Sequence, residues 1–138
     1  MESGGQADVP PWLAEAHAQN RVVIEAAAAA AGRLARGDYT VVYDGVIGPW
    51  FVAEFAAACG VPRVHYAILM PPEPVLIERV RTRDGHGFTD LDAVRRIYRD
   101  FQDAEVDIRH IVEADAGDPQ AVARMVRQQM EAGRLLLW

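Results

Sequence analysis

Tyr39-Thr40-Val41-Val42-Tyr43-Asp44-Gly45 is β-branched and aromatic, apolar on both faces, and stops at an Asp-Gly pair. Side chains of this kind suit a pleated surface covered on both sides, so the stretch reads as a buried strand of parallel type. Residues 64–70 have the same character, and residues 107–112 read as a third strand. Between the strands lie helical patterns. Residues 12–36 are good helix formers whose Leu13, Ala16, Val23, Ala27 and Leu34 fit a helical stripe, with Gly37 as the stop. Pro49 opens a helix that ends at Gly60-Val61-Pro62. Helices over residues 75–83, 91–102 and from Pro119 to about Gly133 follow, with Asp90 or Thr89, and Asp118, in capping positions. Strands alternating with helices at this spacing imply βαβ crossovers. The expected fold class is therefore α/β, three layers α/β/α around a small, mostly parallel sheet.

Two end segments stand apart from that pattern. Residues 1–11 are rich in Gly, Ser and Pro and read as a loose leader before a single domain over residues 12–138. The apolar tail Leu135-Leu136-Leu137-Trp138 reads as an added edge strand or a cover for the core.

Composition narrows the functional classes. The chain has 138 residues, 51% of them hydrophobic, enough for one core and too few to expect two. The formal net charge of −6 gives no basic footprint for nucleic acid or an anionic membrane. All fourteen positive charges are arginines. The lone Cys59 excludes an internal disulfide framework and reads as a buried thiol in a reducing compartment. With no apolar run long enough to span a bilayer, the expected location is cytoplasmic.

Few residues are placed to carry chemistry. Asp44 follows a strand at the sheet edge where open α/β proteins bind ligands; it is either a carboxylate that positions magnesium or takes a substrate proton, or half of a turn-forming pair. Arg79 and Arg83 lie four apart, so on one helix they share a face and converge on a phosphate; otherwise they are solvated charges at a helix end. Residues 84–90, Gly-rich and polar, read as a lid-like loop, with His86 inside it. Trp12, His17, Asn20 and Arg21 share helical spacings and either line a pocket wall or serve packing and solvation. The four histidines show no metal-ligand spacing.

Taken in order, several segments form a resemblance. They are Pro10-Pro11-Trp12-Leu13-Ala14-Glu15-Ala16-His17, Gln19-Asn20-Arg21-Val22-Val23, Val41-Val42-Tyr43-Asp44-Gly45-Val46-Ile47-Gly48-Pro49-Trp50, and Arg79-x-x-x-Arg83 before the Gly-rich loop. The chain is similar to bacterial P-loop kinase-like ATP-binding proteins related to shikimate kinase, adenylate kinase and chloramphenicol phosphotransferase. That resemblance implies ATP and Mg2+ as cofactors and phosphorylation of a small hydroxyl-bearing molecule. It places Asp44 beside magnesium and substrate as the catalytic and metal residue, and Arg79 and Arg83 on the phosphates. It puts Trp12, His17, Asn20 and Arg21 on the substrate, and residues 113–118 near the adenine.

The chain departs from that family at one point. It contains no G-x-x-x-x-G-K-[ST] segment and no lysine to complete one, so it reads as N-terminally truncated and as incomplete or inactive in phosphoryl transfer. In the family, the first strand lies between the strand ending at Asp44 and residues 64–70. Its loss implies either a rearranged three-stranded sheet or a homodimer that covers the open edge. The competing expectation is a non-catalytic ligand-binding or assembly module, and a third is an unrelated small α/β domain.

Overall fold

The computed structural model describes residues 11–85, 89–114 and 117–138, with side chains from residue 14 onward. Five α-helices dominate the described residues: α1 (Pro11–Ala35), α2 (Pro49–Cys59), α3 (Glu73–Thr82), α4 (Leu91–Asp103) and α5 (Pro119–Glu131). The sheet is two residues wide in each strand, β1 (Ile68–Leu69) parallel to β2 (Ile111–Val112), with Ile68 opposite Ile111 and Leu69 opposite Val112. The three-layer α/β/α, P-loop kinase-like expectation is thus overturned. The chain is mostly helical and forms two compact units, residues 1–61 and 62–138.

The first unit is a helical hairpin. Its buried stripe on α1 is Ile24, Ala28 and Gly32, at intervals of four. Val23 and Leu34, assigned to the stripe from sequence, are exposed instead. Small residues on α1 let α2 approach closely: a Cβ at Gly32 would overlap the backbone carbonyl of Cys59. Phe51, Phe55, Ala56 and Cys59 supply the facing side. Arg36 donates to the carbonyls of Cys59 at 2.8 Å and Gly60 at 3.3 Å, satisfying acceptors left over at the end of α2. Gly60 ends α2 in the left-handed region at φ 60°. After α1 the positive φ falls on Asp38, at 67°, rather than on Gly37.

Residues 39–43, the expected buried strand, belong to no strand, and Tyr39, Val42 and Tyr43 are exposed. β-branched residues fit a sheet only where a neighbouring strand takes up their backbone groups, and no described segment does so here. The rearranged three-stranded sheet is therefore not formed with this segment.

In the second unit the expected strand over residues 64–70 is regular only at β1. The one over residues 107–112 begins as a 3-10 turn, Ile108–His110. Asp107 explains the change. Its carboxylate accepts the Arg109 amide at 3.0 Å and pairs with the Arg109 guanidinium at 2.9 Å, offering the backbone a local alternative to the ladder. Of the two roles read for the C-terminal tail, it covers the core and adds no strand to the sheet, forming an isolated bridge instead. Leu136 bridges His65 in antiparallel fashion, Tyr66 N–H donates to Leu135 and Leu137 N–H to Val64, while Leu135 is only 1% exposed. Ile68, Val94, Val112 and Ala114 complete this core, with His110 buried and its Nδ1 2.9 Å from the Tyr66 carbonyl.

Candidate functional site

An open groove of about 640 Å3 lies in the second unit, at the carboxyl ends of both parallel strands. Met70 and Pro72 follow β1, Ile111 and Glu113 end and follow β2, and α4 contributes Tyr98, Phe101 and Gln102. The segment between α4 and β2 adds Ala104, Val106 and Ile108. The volume falls within the range of about 300 to 1,000 Å3 of small-molecule sites.

Local sequence builds each wall. Asp90 caps α4 by accepting the amides of Asp92 at 3.1 Å and Ala93 at 3.0 Å, which fixes where the helix starts. Tyr98, Phe101 and Gln102 then stand three and four residues apart, on one face. The 3-10 turn held by Asp107 turns Ile108 outward, leaving it 81% exposed in the groove wall. The groove is lined by aromatic and aliphatic side chains together with substantial polar surface, and the Glu113 and Gln102 side chains are exposed in it. Such a lining suits a flat, partly apolar ligand with a donor group at one edge.

The residues singled out from sequence lie elsewhere. Trp12 sits on α1, its side chain outside the described residues. His17 packs its ring on Phe51, centroids 4.6 Å apart, and Asn20 is exposed on the same helix. Arg21 pairs with Glu25 at 3.4 Å and with Glu54 of α2 at 2.6 Å, a clamp between the two helices. Asp44 is exposed and follows no strand. These four described or partly described helical positions and Asp44 belong to the first unit, while Arg79 and Arg83 belong to the second.

Arg79 is exposed on α3. That helix ends at Thr82, and Arg83 follows it with extended backbone, φ −76° and ψ 113°, so the two arginines do not share one helix. His86 and residues 87 and 88, the middle of the expected lid, lie outside the described residues, as do residues 115 and 116 of the segment expected near adenine. Among the described residues no group of three His, Cys, Asp or Glu comes together to hold a metal, and no helix is long and apolar enough to cross a membrane.

Sequence reasoning missed Tyr98, Phe101, Met70 and Ile108. Two signals point to the first three, the i, i+3 spacing on α4 for Tyr98 and Phe101 and the position just beyond a strand end for Met70, while Ile108, which precedes β2, carries neither. Neither a protein-family model nor a curated protein sequence matches the chain.

Proposed function

We propose that this chain is a non-catalytic ligand-binding module whose groove takes the nucleobase end of a nucleotide. One observation carries the reading: a groove lined by Tyr98, Phe101 and Glu113 opens at the carboxyl ends of the β1–β2 pair, the edge where parallel strands present ligands. Tyr98 and Phe101 offer aromatic surface to a flat ring, and Glu113 accepts from an exocyclic amine. Adenine, a flat base with an exocyclic amine, fits that pairing of aromatic ring and acceptor. The phosphates extend toward solvent, where Arg79 and Arg83 are tested as contributors. Phosphoryl transfer to a small hydroxyl acceptor is not part of the reading for the chain as it stands. The buried Cys59 thiol supports a reducing, cytoplasmic setting.

Calorimetric titration with adenosine and with Mg-ATP tests this. Both are expected to bind, and Tyr98→Ala to weaken both about tenfold or more, since stacking on an aromatic ring contributes about 1–3 kcal/mol per base. Glu113→Gln is expected to weaken both less. Arg79→Ala/Arg83→Ala reports on the phosphates and acts on Mg-ATP alone. Absence of heat with either ligand, or binding indifferent to Tyr98→Ala, overturns the reading.

A further inference from the structure

Glu113 enters the groove from a backbone position that the sheet fixes. Met70 N–H donates to the Val112 carbonyl at 3.1 Å, so the pairing of β1 with β2 runs on to the residue before Glu113. Val112 and Ala114 are 0% and 4% exposed, and Glu113 between them is exposed, the alternation of an extended chain with one face on the core. Its outward face lines the groove. Among the described residues no other charged side chain lines it, and no hydrogen bond or ion pair engages Glu113. The paired arginines of this unit are held by other carboxylates: Arg81 by Glu78, Arg95 by Glu73 and Asp92, Arg109 by Asp107, and Arg124 by Asp118.

A carboxylate has two oxygens that accept and no donor, so the ring edge it holds best is one with two adjacent donors. Resting on the reading that this groove takes a nucleobase, we propose that Glu113 sets the choice of base and that the base is guanine. The ring N–H and exocyclic amine of guanine stand side by side, so each reaches one carboxylate oxygen, as the two N–H groups of a guanidinium fork do. The exposed Gln102 amide in the same lining donates to the guanine carbonyl next to them. Tyr98 and Phe101 stack on any base, because every base has a flat face, and leave the choice to the polar edge.

Adenine matches that edge less well. Its exocyclic amine is a single donor, and the ring nitrogen beside it carries a lone pair that would face the second carboxylate oxygen with no proton between them. Cytosine presents the same donor beside an acceptor, and uracil a single donor between two carbonyls. The groove is open to water, which competes for each bond, so a preference for guanine of about tenfold is expected, well below that of an enclosed polar site.

Calorimetric titration with guanosine, inosine and adenosine tests the proposal. Inosine keeps the ring N–H and carbonyl of guanosine and lacks the exocyclic amine. Guanosine is expected to bind about tenfold more tightly than either. Glu113→Gln replaces two acceptors by one acceptor and one donor, the set that suits adenine, so it is expected to weaken guanosine about tenfold and adenosine less. The inosine comparison uses the parent chain and keeps the test decisive if Glu113→Gln does not fold. Pterin carries the same pair of donors beside a carbonyl and forms a further arm. Adenosine or inosine bound as tightly as guanosine, pterin bound more tightly, or a guanosine preference that survives Glu113→Gln would each overturn the choice of guanine while the nucleobase reading stands. Absence of binding by all three nucleosides overturns both.

Discussion

Gly32 shows two effects of opposite sign at one position. Inside an exposed helix, replacing glycine by alanine stabilises by about 1 kcal/mol through helix propensity. At Gly32 the added Cβ would meet the Cys59 carbonyl and carbon, atoms of a helix backbone that cannot rotate away. Overpacking of this kind costs about 1–3 kcal/mol, so Gly32→Ala is expected to lower the stability of the hairpin in denaturant titration. Gly117→Ala, where an added Cβ meets nothing within 4 Å, serves as the control and is expected to show no such loss.

His65 carries a pH dependence. Burial, and then the Arg63 charge, hold its imidazole below the ordinary value of 6.5, and its buried Nδ1 has no hydrogen-bond partner among the described residues. A histidine whose folded pKa is lowered favours the neutral ring, so its contribution is fully present above pH 6.5 and is lost as pH falls through the folded value. Denaturant unfolding between neutral and mildly acid pH is expected to show this loss, and His65→Phe to flatten it. Burial pushes the Tyr66 phenol up to about 12, so its contribution is present below the ordinary value of 10 and is lost as pH rises through 12. A tyrosinate absorbance titration reads that shift directly.

Helix starts and stops were legible element by element, because their signals are local. Asp90 and Asp118 accept the first amides of α4 and α5, Pro49 opens α2, and Gly60 closes it in the left-handed region. Asp90→Ala is therefore expected to cost about 1 kcal/mol of stability, read by the thermal melt of the helical signal. Strands are another matter. Tyr39-Thr40-Val41-Val42-Tyr43 carries every propensity for a sheet, yet a strand is made by its neighbour, and no local pattern shows whether the neighbour is present.

Asp107 illustrates the reverse case, where a residue read as the start of a strand instead holds the backbone in a turn through its own carboxylate. The groove was hardly legible from the residues themselves. Only the family resemblance drew attention to residues 113–118, which begin at Glu113, and Phe101 and Tyr98 joined the groove only once α4 was placed.

For the whole chain, an acidic balance and a surplus of exposed apolar side chains in the first unit act together. Net charge keeps copies apart at long range while exposed apolar surface favours contact, so solubility is expected to be lowest near the pI of about 5.1, which turbidity against pH measures.

The Cys59 carbonyl faces Gly32 and accepts the guanidinium of Arg36, so the final turns of α1 and α2 meet at a single oxygen. Helix ends ordinarily fray independently, each exchanging its amide hydrogens with solvent at its own rate. Here neither can loosen without releasing the other. The amides of the last turn of each helix should exchange as one cooperative group, and Arg36→Ala should split that group into two.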